Sequence, residues 1–355
     1  MKITFLLPQL SLNGGIRVVA DYGRELKLRG HKVAFVARHP KRPRIRDILR
    51  GRETLWGQLG EIPAFFEGME EDVALVSSSR KLTAEDLPDA DFLIATWWET
   101  MEWADGMPAS KGKLAHLMQH YEMFDGLPQA RVAKTYEMDA LRISVSDWIA
   151  DEVSAHHGAK SAAVIHNAVD TGHFWFKPDR NNKMLTLGFM YAHAAFKNSL
   201  LPVKVQDVLA DRGFPVELLT FHSLPLLDGL ASRPGLKTHM KPDQDRIPVL
   251  YQSCDLWLFP SLEEGFGLPI LEALSCGTPV LATHAGAAPQ LIKHGVNGYL
   301  SEPDAEAFAD LVQAHAALPA EKRQEMAYAA RDTVTGWTWA DATERLIEVL
   351  EKNAR

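Results

Sequence analysis

At 355 residues the chain is too long for one ordinary domain, and two domains are the natural expectation. It is 46% hydrophobic and 24% charged, which excludes disorder over most of its length. A formal net charge of −8 argues against nucleic acid as the main partner, because phosphate neutralisation needs a basic surface.

Two cysteines, Cys254 and Cys276, do not make a disulfide scaffold, and the chain reads as cytoplasmic. The opening apolar run is cut by Pro8 and is too short for a signal peptide. No stretch approaches the roughly 18 to 20 apolar residues that span a bilayer.

Taken in order, Ile3–Leu7 is a buried strand, followed by Asn13-Gly14-Gly15-Ile16-Arg17 and a helix over Val18–Arg29 that buries Val18, Val19, Tyr22 and Leu26. Paired glycines in a strand-to-helix turn let the backbone approach a ligand, and the helix N-terminus that follows favours negative charge. The pair fits neither G-x-G-x-x-G nor a Walker A loop. After the strand Val33–Val36, seven basic residues lie between Arg38 and Arg52 against the single acid Asp47. That stretch is either a solvated loop or a surface for anionic headgroups and phosphate-bearing acceptors, which would make the protein peripheral at a membrane.

Asp89-Ala90-Asp91 precedes the strand Phe92–Thr96. Although D-x-D is a metal-binding pattern, it stands at the wrong end of the strand for a site and reads as a turn, so no metal is expected. The run Thr96-Trp97-Trp98-Glu99-Thr100-Met101-Glu102-Trp103 offers indoles either to sugar rings or to the core. Leu114–Met118 is the next strand, and it leads into Gln119-His120-Tyr121-Glu122. His120 follows the strand, whereas His116 lies within it and should be buried. Ile143–Ser146 and Ala162–Ile165 complete a first parallel sheet.

Near His166-Asn167-Ala168-Val169-Asp170 the chain is expected to cross to a second domain, with strands Leu185–Met190, Val216–Phe221, Leu256–Phe259 and Pro279–Ala282. Alternating strands and helical patterns of this kind build βαβ units and parallel sheets, an α/β class. The domains are placed at 1–168 and 169–337. A terminal helix pattern from Trp337 to Lys352, assigned to residues 338–355 as a unit, is expected to pack back on the first domain. Between two second-domain strands lies Pro260-Ser261-Leu262-Glu263-Glu264-Gly265-Phe266-Gly267-Leu268-Pro269-Ile270-Leu271-Glu272-Ala273. Glu264 falls in a loop at the strand's C-terminal edge, where open α/β sheets bind ligands, and Glu272 sits about one turn into the helix. The amides of Phe266, Gly267 and Leu268 and the helix dipole favour an anion. Two carboxylates beside it make sense if each accepts hydrogen bonds from hydroxyls that flank a diphosphate.

This stretch resembles the E-x7-E signature of the retaining glycosyltransferase family 4, and Cys276-Gly277-Thr278-Pro279-Val280 is similar to the segment that follows it there. Further likenesses in the same order cover most of the chain: Gly14-Gly15 with Arg17, Ser144-Val145-Ser146, Asn167-Ala168-Val169-Asp170 with Phe174, and Gly295-Val296-Asn297-Gly298. The resemblance implies a GT-B fold, two Rossmann-like domains facing each other across a cleft, and retaining, metal-independent transfer from a nucleotide-sugar donor. The donor (UDP-, GDP- or dTDP-linked) would bind mainly to the second domain and a glycan, lipid-linked or small-molecule acceptor mainly to the first, with no cofactor. By this likeness Glu264 holds donor sugar hydroxyls, Glu272 the ribose and Lys197 the diphosphate. His120 would lie near the donor sugar, in a pattern that resembles the Q-D-Y-E-x-x-F of rhamnosyltransferases for surface polysaccharides with histidine in place of aspartate.

One departure concerns the family's glycine-arginine pair, which is Gly188-Phe189 here and leaves Lys197, helix N-termini, His193 or Arg17 to meet the phosphates. The rival readings are a nucleotide-sugar epimerase, a sugar phosphorylase and a non-catalytic nucleotide-sugar binding protein on the same fold. A nicotinamide-dependent dehydrogenase would need a dinucleotide fingerprint that this chain lacks.

Overall fold

The computed structural model describes residues 1–39, 62–178, 180 and 182–354. Most of the basic stretch, from Lys41 to Arg52, lies outside the described residues. The chain divides into two compact units, residues 1–167 with 339–355, and residues 168–338.

The first unit is built on a parallel sheet. Its described strands are β1 (Lys2–Gln9), β2 (Lys32–Arg38), β3 (Val73–Val76), β4 (Phe92–Ala95), β5 (Lys113–Met118), β6 (Leu141–Ser144) and β7 (Ala163–Val164), in the spatial order β3-β2-β1-β4-β5-β6-β7. The helices between them are α1 (Gly14–Leu28), α2 (Trp98–Ala104), α3 (Gln129–Glu137) and α4 (Asp147–His157). Phe5, Leu6, Ile94 and Leu117 are buried because parallel strands are covered on both faces and carry apolar side chains on each. Packing is tight enough to dictate Gly23: a Cβ there would lie 2.2 Å from the Phe35 ring.

The helix α1 starts at Gly14 rather than near Val18. Asn13 has extended backbone, and its Oδ1 accepts the Ile16 N–H at 2.9 Å, a side-chain N-cap. The glycine pair is therefore the first turn of the helix and not a separate loop.

The second unit repeats the plan with β8 (Thr186–Tyr191), β9 (Glu217–His222), β10 (Leu236–Met240), β11 (Leu256–Phe259), β12 (Val280–Ala282) and β13 (Gly298–Leu300), ordered β10-β9-β8-β11-β12-β13 and all parallel. Its helices are α5 (Leu201–Asp211), α6 (Ile247–Gln252), α7 (Leu268–Ser275), α8 (Ala288–Leu291), α9 (Ala305–Ala316) and α10 (Ala320–Thr333). Leu187, Phe189, Leu218, Leu258, Leu281 and Phe308 form its core. Gly188 is required where β8 passes β11, since a Cβ would stand 2.4 Å from both Cys254 Sγ and the Trp257 ring. Cys254 and Cys276 are buried free thiols.

The last helix, α11 (Trp339–Lys352), belongs to the first unit. Trp339 meets Tyr22 of α1 edge to face at 5.2 Å, and Lys113 Nζ donates to the Asn353 carbonyl at 2.8 Å. Among the described residues no helix is long and apolar enough to cross a membrane.

Both strand orders reverse direction once, between β1 and β4 in the first unit and between β8 and β11 in the second. At such a switch point two crossover connections leave in opposite directions and open a crevice beyond the carboxyl ends of the strands.

Candidate active site

In the second unit the crevice is framed by the segments that follow β8 and β11. The first turns through a short 3-10 helix, Ala195–Lys197, into Asn198 at φ 47°, a left-handed conformation that asparagine tolerates. The second is joined to it by the Leu262 N–H, which donates to the Phe196 carbonyl at 2.6 Å. This puts Lys197 Nζ 2.5 Å from Glu264 Oε1, across 67 residues of sequence. The Ser261 hydroxyl donates to the same oxygen at 2.8 Å. Glu264 is only 6% exposed, so a charged partner and a hydroxyl meet the cost of burying its carboxylate.

A third segment, after β12, seats this loop. Gly286 has φ +58°, and a Cβ there would lie 2.5 Å from the Phe266 carbonyl oxygen and 2.9 Å from Glu264 Cβ, so only glycine fits both the backbone and the space. The Ala287 N–H donates to that Phe266 carbonyl at 2.8 Å. Gly267, at φ 99°, is the N-cap of α7, and Pro269 occupies its first turn. The Leu268 N–H, which opens α7, has no partner within the helix and adds to the dipole's partial positive charge, whereas Pro269 has no N–H and the Ile270 N–H donates to the Gly267 carbonyl at 2.9 Å. Phe266 is buried.

Glu272 sits on α7 with a different partner. Its Oε2 accepts the Tyr251 hydroxyl at 2.6 Å, and Tyr251 is a fully buried residue of α6. The two carboxylates are thus held separately, one by an ammonium and one by a phenol. Phe189 lies wholly in the core and can supply no polar contact at the crevice. His193, at the end of β8, has its Nε2 2.7 Å from the Pro225 carbonyl.

The first unit's crevice is lined differently. Gln119 Nε2 donates to the Gly15 carbonyl at 3.1 Å, tying the segment after β5 to the first turn of α1. His120 follows, with Nδ1 3.1 Å from the Tyr121 carbonyl and its ring 4.6 Å from Phe124 and 5.6 Å from Trp148. Glu122 anchors the same segment. Its Oε2 accepts the Trp98 N–H at 2.7 Å at the start of α2, while its own N–H donates to Tyr136 Oη at 2.8 Å. Burial drives the Glu122 carboxyl well above its usual 4.5, only partly offset by the Trp98 amide. Arg17 lies on α1, 3.7 Å from Asp21 and over the Phe65 ring.

The remaining sequence candidates are structural. His116 is buried within β5, stacked on Tyr136, and burial lowers its pKa to about 3. Asp91 accepts the Lys2 N–H at 2.6 Å and Asp89 pairs with Lys111, which makes D-x-D a strand-start device. Trp98 is buried, and Trp103 packs beneath the Arg38 guanidinium at 4.6 Å. Among the described residues no group of three or more His, Cys, Asp or Glu is disposed to hold a metal ion.

Two Rossmann-like units of these strand orders constitute a GT-B fold, and solved structures agree over nearly the whole chain. Anabaena HepE, in complex with UDP and glucose, superposes with a TM-score of 0.75 over 99% of this chain and 100% of that one at 17% identity. Sucrose-phosphate synthase from Thermosynechococcus elongatus gives 0.73 over 99% and 98% at 14% identity. Residues 232–333 match the family model described as glycosyl transferases group 1, a range that includes β11, both carboxylates and α7. In sequence the chain is similar to D-inositol 3-phosphate glycosyltransferases, 30% identical over 231 residues to that of Mycobacterium avium, covering 59% of this chain and 54% of that protein. The match to the Mycobacterium tuberculosis protein is 30% over 233 residues, 59% and 48%. The chain spans about half the length of these curated relatives.

Proposed function

We propose that the protein is a retaining glycosyltransferase that moves a sugar from a nucleotide-sugar donor without a metal. The observation that carries this reading is the Lys197–Glu264 pair set beside the N-terminus of α7, with Glu272 one turn further along.

The donor diphosphate gains charge as the glycosidic bond to it breaks. In this reading Lys197 and the Leu268 N–H at the start of α7, with the Gly267 and Phe266 amides beside it, meet that charge. Catalysis of this kind comes from charges already in place before the reaction. A lysine engaged by a carboxylate in the free protein is a positioned cation: a diphosphate exchanges one anionic partner for another. Glu264 then turns its acceptor oxygens to the donor sugar's hydroxyls, and Glu272, fixed by Tyr251, accepts from the ribose. The acceptor hydroxyl attacks on the face from which the phosphate departs, a phosphate oxygen takes its proton, and configuration is retained without a protein nucleophile. His120, with Gly14, Gly15 and Arg17, belongs to the handling of acceptor and donor sugar on the first unit. The acceptor is a glycan, a lipid-linked sugar or a small molecule in polysaccharide or glycoconjugate synthesis, with rhamnose as one transferred sugar that the Gln119-His120-Tyr121-Glu122 likeness suggests.

HepE has been solved with UDP and with UDP-glucose, which puts uridine first among the bases to try. The test is a melting-temperature panel of UDP, GDP, dTDP and ADP with their sugar conjugates, each with and without EDTA, followed by transfer assays. Stabilisation by one nucleotide family that EDTA leaves unchanged supports the reading. Stabilisation that EDTA abolishes removes the metal-independent mechanism. Binding without turnover against any acceptor favours the non-catalytic alternative, to which the loss of a cation at Phe189 already points.

A further inference from the structure

Glu264 is held unevenly. Lys197 Nζ at 2.5 Å and the Ser261 hydroxyl at 2.8 Å both donate to its Oε1. Its Oε2 accepts from no described residue, and it is not sealed off from solvent. One oxygen of the carboxylate is thus engaged by the protein, and the other is left open at the crevice.

The two donors to Oε1 are anchored differently. Lys197 reaches it on a flexible four-carbon stem from the short 3-10 turn, and its side chain is 22% exposed. Ser261 is 3% exposed and lies two residues beyond the end of β11. Its carbonyl accepts the hydroxyl of Thr283, the first residue after β12. Thr283 in turn donates its N–H to the Phe259 carbonyl at 3.1 Å, so the seryl hydroxyl is fixed to the ends of two adjacent strands. On the other side Gly286 leaves no room behind Glu264, since even a Cβ there would stand 2.9 Å from the Glu264 Cβ.

A diphosphate carries more charge than a carboxylate and draws the mobile lysine to itself. Glu264, nearly buried, then loses its cation, and among the described residues only the Ser261 hydroxyl still donates to it. A buried carboxylate with no donor is costly and would swing after the departing ammonium.

We propose that Ser261, braced by Thr283, is a positioning residue for the donor sugar: it keeps Oε1 when the diphosphate takes Lys197, and so leaves Oε2 aimed at the sugar hydroxyls. This role rests on the reading of Glu264 as the donor-sugar ligand. Ser261 itself touches neither sugar nor phosphate and acts only through the carboxylate, by a charge-assisted hydrogen bond.

Isothermal titration of the full chain tests it, with UDP-glucose, GDP-mannose and dTDP-rhamnose each measured beside its bare nucleotide. The pair that binds tightest is read. Ser261→Ala should leave the bare nucleotide within twofold of wild type and weaken the sugar nucleotide about tenfold, the scale of a lost hydrogen bond to a charged group. Thr283→Val, which keeps the shape and removes the hydroxyl, should give the same pattern more weakly. Glu264→Ala should lose sugar-nucleotide affinity as well, and the double variant S261A/E264A should lose no more than E264A alone, because residues that act through one another are not additive. If S261A binds the sugar nucleotide as wild type while E264A does not, the proposal is overturned and the donor reading stands. It is overturned equally if the two losses add, or if S261A weakens the bare nucleotide as much as the sugar nucleotide, which would make Ser261 a phosphate ligand. If E264A keeps full sugar-nucleotide affinity, or wild type binds no nucleotide, the donor reading falls and this proposal falls with it.

Discussion

The two units share one architecture and one kind of crevice, yet they line it with opposite chemistry. In the second, the groups after β8 and β11 are ions and their partners: Lys197 on Glu264, Tyr251 on Glu272. In the first, the groups after β1, β4 and β5 are amides and rings, with Gln119 on Gly15 and His120 between Phe124 and Trp148. Glu122 of that segment is buried away from solvent, and the charged groups on α1 are Arg17 and its neighbour Asp21. A polyanionic nucleotide is recognised by fixed charge. A neutral sugar ring is recognised by stacking and by hydrogen bonds that adapt to its hydroxyls. Under the proposed function this contrast would give the two similar folds different ligands, and it can be broken residue by residue.

The largest expected effect is at Glu264. Glu264→Ala should lower turnover by about 10²- to 10³-fold, the scale for removing one preorganised electrostatic contact, while nucleotide diphosphate binding persists because Lys197 is released rather than lost. Turnover within twofold of wild type would sink the assignment. Next is Glu272. Glu272→Gln should raise the donor KM about tenfold or more, as for a lost hydrogen bond to a charged group, and Tyr251→Phe should do the same more weakly with little change in kcat. If both change kcat alone, Glu272 is not a ribose ligand.

Smaller is His120→Ala on the first unit. It is expected to reduce transfer about tenfold with nucleotide affinity untouched, and a matching loss of nucleotide binding would erase the contrast between the units. The smallest effect concerns Glu122. Its pKa in the folded chain is raised, so the folded state binds more protons than the unfolded one above about 4.5. The stability it contributes is complete below that pH and declines as pH rises. Glu122→Gln keeps an acceptor for the Trp98 N–H and removes the titration. Its melting temperature should thus gain on wild type steadily between pH 5 and 8. A constant difference across that range would show that Glu122 is ionised in both states.

Much of the fold is legible in the sequence because central parallel strands are buried on both sides and must be continuously apolar. Phe92–Ala95 and Leu256–Phe259 are of this kind. The strands that escape are at or near edges. β10 reads Leu-Lys-Thr-His-Met and is half exposed, β3 has only Val76 fully buried, and β13 closes the other edge of the second sheet. The start of α1 is missed because glycine disfavours a helix interior, while the Asn13 cap that allows it there is a side-chain contact. Glu264 and Glu272 are legible through spacing within one loop and helix. Their partners are not: Lys197 lies 67 residues from Glu264, Tyr251 is 21 from Glu272 on another helix, and Gln119 is 104 from Gly15. Gly286 carries no motif, and only the approach of its backbone to Phe266 and Glu264 shows why it is glycine.

The return of α11 to the first unit makes that unit discontinuous, with all of residues 168–338 inserted into it. A ribosome therefore delivers the second unit as one unbroken stretch, able to collapse on its own as it emerges. The first unit, begun earlier, waits for its last piece. Until Trp339 arrives to cover Tyr22, the outer face of α1 stays open to water, so the earlier-made half of the molecule is the later one to finish.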